Sequence, residues 1–165
     1  MSLTIPIIKK LDLSKAPAGQ VSKYNFHIVD NGLGFPVLLP VIVAKGRKPG
    51  KVLGFTAAVH GNEPNGIKVI HKLVQELEDD IDDLRGTIVA VPVVNAIGAL
   101  NTARLFNNGT DLNRTMPGKP KGNSSDQYVY RFVKQIVSQL DFLVDLHTAS
   151  FGRINSLYVR ADLED

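Results

Sequence analysis

Apolar residues along the chain follow patterns typical of strands in several segments. Residues 22–30 and 35–46 are rich in β-branched and aromatic residues, and they flank the turn sequence Asn-Gly-Leu-Gly. This arrangement predicts a β-hairpin. After a turn rich in Gly and basic residues, residues 51–60 predict a third strand. Residues 86–94 form an almost entirely apolar run, typical of a strand covered on both faces, and residues 141–147 predict another buried strand.

Two further segments carry apolar residues at helical spacing, with polar and charged residues between them. The first segment contains Ile67, Ile70, Leu73, Val74 and Leu77, and the second contains Val129, Phe132, Val133, Ile136, Val137 and Leu140. Each predicts an amphipathic helix. Residues 95–124 between them predict mostly loop, and residues 155–161 predict a last strand.

The order of these elements predicts the fold class. A hairpin followed by strand–helix–strand units indicates an α/β fold, with a mixed β-sheet flanked by helices. We predict an irregular lead-in over residues 1–18 and one domain over residues 19–165. In such sheets, functional sites form where the chain leaves the carboxyl ends of strands.

Composition excludes several classes of protein. Apolar residues make up 44% and charged residues 21% of the chain, and the net charge is +3 with scattered basic residues. We therefore expect no nucleic-acid partner. No apolar run approaches the roughly 20 residues that cross a bilayer, and the N-terminus lacks the features of a signal peptide. Because the chain has no cysteine, disulfides and thiolate metal sites are excluded, and we expect a cytoplasmic protein.

The sequence Val-His-Gly-Asn-Glu-Pro-Asn-Gly follows the third predicted strand and contains His60 and Glu63. A residue before proline is kept away from the α region, so Glu63 should be extended. Pro64 suits the first position of a helix. The backbone would then turn sharply between His60 and Glu63, and both side chains could point the same way. The alternative is a loop with a solvated glutamate.

A second histidine, His147, ends the strand predicted over residues 141–147. By itself it could be a core histidine bonded to the backbone. However, hydrolytic zinc sites use two histidines and a glutamate and leave a fourth position for water, and this chain offers no sulfur ligand to compete. His60, Glu63 and His147 therefore form a candidate metal site. His71, within a predicted helix, and His27, within the hairpin, are weaker candidates.

The loop over residues 95–124 carries a candidate receptor for an anion. Asn113 and Arg114 are adjacent, and Arg104 lies nearby in the sequence. An arginine fork matches a carboxylate, and asparagine adds a neutral donor. Asp111 could support the metal, because a zinc-bound histidine usually donates its other N–H to a carboxylate or a backbone carbonyl. The alternative is that these residues only shape a loop.

Three motifs together resemble a known family. His-Gly-Asn-Glu, then Asp-Leu-Asn-Arg followed by Pro-Gly, then Asp-Leu-His-Thr, in that order, resemble the succinylglutamate desuccinylase/aspartoacylase family of zinc carboxypeptidase-like hydrolases. The resemblance covers roughly residues 20–160. It implies a zinc carboxypeptidase-like fold and one Zn²⁺ per chain, held by His60, Glu63 and His147.

The resemblance also implies roles for the residues of the loop. Asp111 would orient His60, and Asn113 and Arg114 would hold the carboxylate of a substrate. Arg104 would polarise the scissile carbonyl. The implied activity is cleavage of an amide bond in a small N-acyl amino acid or a related carboxylate-bearing substrate. A peptide carboxypeptidase and a non-catalytic zinc- or carboxylate-binding fragment are the alternatives, and a homo-oligomer stays open.

The sequence departs from the family pattern at one point. The family's catalytic glutamate, the general base, lies several dozen residues after the second histidine, but this chain ends at Asp165. Glu164 lies in the tail, where side chains are usually solvated. We therefore expect residues 19–165 to be the N-terminal part of a zinc-hydrolase domain. We expect the general-base glutamate to be absent from this chain, and the chain alone to be inactive or nearly so.

Overall fold

Six strands and three helices make up the part of the chain that the computed structural model describes, residues 4–150 and 153–162. The strands are β1 (Ile7–Ile8), β2 (Gln20–Asp30), β3 (Pro36–Lys45), β4 (Lys48–Ala57), β5 (Arg85–Val91) and β6 (Phe142–Leu146). The helices are α1 (Asn65–Asp79), α2 (Ala96–Leu100) and α3 (Ser124–Gln135), and short 3-10 turns cover Leu112–Arg114 and Val137–Gln139. The predicted α/β class is confirmed.

All six strands form one mixed sheet, in the order β1-β2-β3-β5-β4-β6. β2 and β3 are the predicted antiparallel hairpin, and β3 also pairs antiparallel with β5. The hairpin turn uses Gly34 at a φ of +80°, a conformation that glycine adopts without steric cost. β4 pairs parallel with both β5 and β6. The carboxyl ends of β4, β5 and β6 therefore lie on the same side of the sheet.

Hydrophobic cores lie on both faces of the sheet, because successive side chains of a strand point to opposite faces. On β3, Val41 and Val43 belong to the larger core, whereas Ile42 belongs to the smaller one. Helix α3 covers the larger core with Tyr128, Val129, Phe132 and the adjoining Ile136. Helix α1 covers the smaller core with Ile70 and Val74. The two predicted amphipathic helices thus pack on opposite faces.

The starts of the two long helices are set by local sequence. At α3, the Asn123 side chain accepts the Asp126 N–H, and the Asp126 side chain accepts the Asn123 N–H in return, which is a capping box. Pro64 occupies the N-cap position of α1 and makes no side-chain capping bond. The sequence predicted it at the first helical position, one place further along the helix. A Cβ on Gly66 would lie 2.8 Å from Cβ of Ala57 and 2.9 Å from Cβ of Leu146. This glycine therefore lets α1 start close to β4 and β6.

Two predictions about strands are wrong. Residues 141–147 contain the predicted strand, β6, but its predicted burial is wrong, because β6 lies at the edge of the sheet and Phe142 is 61% exposed. Only Leu146 of this strand packs against a core within the described residues. Residues 155–161 form no strand and are exposed, since an apolar run needs a neighbouring strand to pair with.

The lead-in over residues 1–18 is mostly irregular where the structure describes it, from residue 4 onward, but it is not detached. Its short strand β1 pairs parallel with Asn25 and Phe26 of β2, and Leu11 is buried in the larger core. Residues 163–165, which include Glu164, lie outside the described residues. Among the described helices, none has the length and apolar character needed to cross a bilayer.

Candidate metal centre

His60 and Glu63 lie in a tight turn at the carboxyl end of β4. Ala58 turns the chain away from the strand with a φ of 50°, in the left-handed region that costs a residue with a Cβ about 1–2 kcal/mol. The Glu63 N–H then donates to the His60 carbonyl over 3.1 Å, so the predicted sharp turn between the two residues is confirmed. Both side chains are buried, each 3–4% exposed.

His147 follows β6 and reaches the same place because β6 is parallel to β4, with Leu146 in register with Ala57. The rings of His60 and His147 have centroids 5.0 Å apart. Nδ1 of His60 lies 3.0 Å from Oε1 of Glu63, and Nδ1 of His147 lies 3.0 Å from Oε2. One ligand atom from each residue falls within 4.8 Å of the others. The three residues predicted as metal ligands are therefore brought together.

The donor set fits a divalent metal. Nδ1 of His60 is buried and has no hydrogen-bond partner, because its approach to Glu63 lacks hydrogen-bond geometry. A buried polar atom without a partner costs free energy and requires an explanation. Coordination of a metal ion by this nitrogen would supply one. Two imidazole nitrogens and a carboxylate oxygen suit zinc.

Asp111 supports His60 from the side away from Glu63. Its Oδ1 lies 3.1 Å from Nε2 of His60 and also accepts the Asn113 N–H over 3.0 Å. Asp111 thus caps the 3-10 turn over Leu112–Arg114 and holds the histidine ring at the same time. The family resemblance implied this neighbour for His60, and the geometry matches the usual partner of a metal-bound histidine.

Arg104 lies beside the cluster and contacts it directly. Its Nη1 donates to Oε1 of Glu63 over 2.9 Å and to Oγ of Ser150 over 3.1 Å, while Nη2 is 3.6 Å from Oδ2 of Asp111. The Arg104 side chain is 41% exposed. Arg104 can therefore reach both the cluster and a molecule approaching from solvent.

Asn113 and Arg114 lie in the 3-10 turn that follows Asp111, so they are close to the cluster but outside it. The Arg114 side chain is 89% exposed, and its Nε is 4.0 Å from Oδ2 of Asp111. An exposed guanidinium next to a buried polar site is placed to meet an anionic group. Its role as a substrate receptor stays a prediction.

The sequence reasoning missed several contacts of the cluster. Asp145 binds Nε2 of His147 through Oδ2 over 2.7 Å, and the Thr148 N–H donates to Oε2 of Glu63 over 2.9 Å. The Asp145 contact had a signal, because residues two apart in a strand project on the same side. The contacts of Thr148 and Ser150 had none, since both residues follow the strand in irregular chain.

Hydrogen bonding raises the pKa of His147 above its ordinary value. The bond to Asp145 is the main cause, the negative charges of Asp145 and Glu63 add to it, and partial burial opposes it. Carboxylates thus surround this imidazole on both ring nitrogens. An added positive charge would be stabilised at the same point, as a metal site requires.

The other two histidines lie away from the cluster, as predicted. His27 is in β2, where its Nε2 is 2.8 Å from Oδ1 of Asp30. His71 is on the exposed side of α1. These positions make His71 a control for experiments on the cluster.

Fold and site together define an α/β domain with a candidate metal centre at the carboxyl ends of its parallel strands, and comparison with known proteins gives its family. The sequence model of the family described as succinylglutamate desuccinylase/aspartoacylase catalytic domain matches residues 49–165. The chain therefore belongs to this family.

Similar proteins agree with this assignment. The chain is 32% identical over 113 residues to N-alpha-acetyl-L-2,4-diaminobutyric acid deacetylase from Halomonas elongata, a match that covers 68% of this chain and 32% of the deacetylase. A succinylglutamate desuccinylase/aspartoacylase from Rhodobacter sphaeroides superposes with a TM-score of 0.72 at 25% identity, over 87% of this chain and 44% of that one.

An aspartoacylase family protein from Mesorhizobium loti superposes with a TM-score of 0.71 at 26% identity, over 84% of this chain and 42% of that one. The chain thus spans about a third of the length of its curated relative and less than half the length of these solved structures.

Proposed function

We propose that this protein is a zinc-dependent hydrolase that cleaves the amide bond of a small N-acyl amino acid or a related carboxylate-bearing amide. The observation that carries the proposal is the convergence of His60, Glu63 and His147, with a buried Nδ1 on His60 that has no hydrogen-bond partner. Membership of the family supports the reaction class, and the Halomonas deacetylase supports an N-acyl amino acid as substrate.

In this proposal, Nδ1 of His60, Nδ1 of His147 and the Glu63 carboxylate hold one zinc ion. Bound zinc would polarise a carbonyl and lower the pKa of water toward about 7. Asp111 fixes the ring of His60 through Nε2, which leaves Nδ1 as the metal-facing nitrogen. We also propose a cytoplasmic location, since the chain has no cysteine.

Two sets of residues handle the substrate. Arg104, beside the cluster and partly exposed, donates hydrogen bonds to the scissile carbonyl oxygen as negative charge builds on it. Asn113 and Arg114, exposed at the next turn, bind the substrate carboxylate. Nε of Arg114 is 4.0 Å from Oδ2 of Asp111, and Asp111 contacts His60 through Oδ1, so a small substrate can reach both.

No general base is assigned among the described residues. The carboxylates in contact with the two histidines belong to Glu63, Asp111 and Asp145, and each already has a histidine partner.

Hydrolysis is tested with zinc-loaded protein on N-acetyl-2,4-diaminobutyrate, N-acetylaspartate, N-succinylglutamate and short peptides, with released amine as the readout. We expect zinc-dependent turnover of one or more acyl amino acids, and it should be slow because no described carboxylate is assigned as a general base, a group whose loss costs about 10²–10⁴ in rate. The matched control is His147→Ala. Equal turnover by this variant would contradict the proposal, and cleavage of peptides alone would favour a carboxypeptidase.

The carboxylate receptor is tested with Arg114→Lys. Lysine keeps the charge but not the planar fork, so one of two hydrogen bonds to a carboxylate is lost. A hydrogen bond to a charged group contributes about 1.5–3 kcal/mol, so the preference for an N-acetyl amino acid over its neutral amide should fall roughly tenfold or more. Titration calorimetry with the two compounds measures that preference.

The control for this experiment is Arg47→Lys. Arg47 directly precedes β4 and pairs with Asp82, at the opposite end of the strand from His60. This variant should keep the preference for the acid. If Arg114→Lys discriminates between acid and amide as well as Arg47→Lys does, the receptor lies elsewhere.

A further inference from the structure

Asp145 connects His147 to the interior of the sheet. It lies on β6 two residues before His147, and its Oδ2 is 2.7 Å from Nε2 of that histidine. Its other oxygen, Oδ1, accepts a hydrogen bond of 2.7 Å from the hydroxyl of Thr56. Thr56 is buried on β4 and is in register with Asp145 across the two parallel strands. Thr56, Asp145 and His147 thus form a continuous chain of hydrogen bonds.

We propose that Asp145, held by Thr56, is a positioning residue that presents Nδ1 of His147 to the metal. The proposal rests on the proposed zinc centre, and it adds a second carboxylate–histidine pair to the one formed by Asp111 and His60. When Nε2 donates its hydrogen to a carboxylate, the lone pair of the ring is left on Nδ1. Nδ1 of His147 is the atom that faces Glu63.

His147 needs this support more than His60 does. The side chain of His60 is 4% exposed, so packing restrains its ring, whereas the side chain of His147 is 31% exposed beside an edge strand. With less packing to restrain it, the ring depends on its hydrogen bonds to keep one orientation. A carboxylate also raises the basicity of a histidine ligand, which strengthens its bond to a metal.

Thr56 restrains Asp145 in turn. The Asp145 side chain is 29% exposed, so it could rotate toward water without a second partner. The Thr56 hydroxyl is fixed because a β-branched side chain in a strand has restricted rotamers. Replacement of Thr56 by Val keeps the shape and removes the hydroxyl, whereas Thr56→Ser keeps the hydroxyl.

The test is zinc affinity of the 165-residue chain, measured by competition with a chromogenic chelator. Loss of such a partner typically costs 10–100-fold in metal affinity, so we expect that loss for Asp145→Ala. We expect a smaller loss in the same direction for Thr56→Val, and an affinity close to that of the unmodified chain for Thr56→Ser. If Asp145→Ala does not fold, the difference in zinc affinity between Thr56→Val and Thr56→Ser tests the proposal instead.

A purely structural role makes a different prediction. If Asp145 and Thr56 only join β4 to β6, their variants would lower the melting temperature in excess chelator while zinc affinity stays unchanged, and that result overturns the proposal. The variant His147→Ala shows whether a negative result concerns only the role of Asp145 or the zinc centre as a whole. Zinc bound equally by the unmodified chain and His147→Ala would refute the centre itself, whereas a loss confined to His147→Ala would refute only the role of Asp145.

Discussion

Replacement of His147 by alanine is expected to abolish zinc binding, from about one zinc per chain to almost none. The change leaves only His60 and Glu63, and a zinc site of this type needs three protein ligands. Metal affinity also depends on every ligand being in place. Zinc content is measured by elemental analysis after dialysis of the purified protein against a low concentration of zinc.

The matched control is His71→Ala, which removes a histidine from the exposed side of α1. This variant should retain zinc, and excess zinc should raise its melting temperature. A ligand at 100 times its Kd stabilises the folded state by about 2.7 kcal/mol, and His147→Ala should lack that gain. Equal zinc content in the two alanine variants would remove His147 from the site.

Much of the site could be predicted from the sequence because local chemistry fixes it. Pro64 restricts the residue before it and favours a helix start after it, so the turn between His60 and Glu63 follows from the sequence. The Asp111 side chain caps a turn that begins with the next residue, which its residue type also favours. Predictions of this kind need only a few neighbouring residues.

Other features depend on the register of strands that are distant in the chain. Thr56 and Asp145 meet only because β4 and β6 pair in parallel with these residues opposite each other. No spacing in the sequence specifies that pairing. The helix α2 was also missed, because five residues are too few for a periodic pattern, and tertiary contacts fix it instead. The Asn95 side chain caps it by accepting the Gly98 N–H.

The errors concern residues near the end of the chain, where apolar character is a poor guide to burial. Phe142, Leu143 and Val144 have the composition of an inner strand, but they lie in the edge strand β6 and are exposed. A sequence pattern shows that a segment can be buried, and burial itself depends on what packs against it. The same reasoning explains why residues 155–161 form no strand.

Replacement of Gly61 by alanine is expected to damage both the fold and the metal centre. Gly61 lies between His60 and Glu63, and a Cβ at this position would be 2.2 Å from the Gly98 carbonyl carbon and 2.3 Å from the Ala99 nitrogen. These are backbone atoms of α2, which cannot rotate away as a side chain can. Overpacking of this kind costs about 1–3 kcal/mol or more.

The turn and α2 must therefore move apart in Gly61→Ala, which displaces His60 and Glu63 relative to His147. We expect a lower melting temperature, by roughly 2–4 °C per kcal/mol for a chain of this length, together with weaker zinc binding. The matched control is Gly32→Ala in the hairpin turn, where a Cβ would meet no atom within 4 Å, so its stability should change by less than about 0.5 kcal/mol. Thermal melting and chelator competition on both variants measure the two effects. If Gly61→Ala and Gly32→Ala have the same melting temperature and the same zinc affinity, the His60–Glu63 turn is not held against α2. Its geometry would then be set by β4 and Pro64 alone.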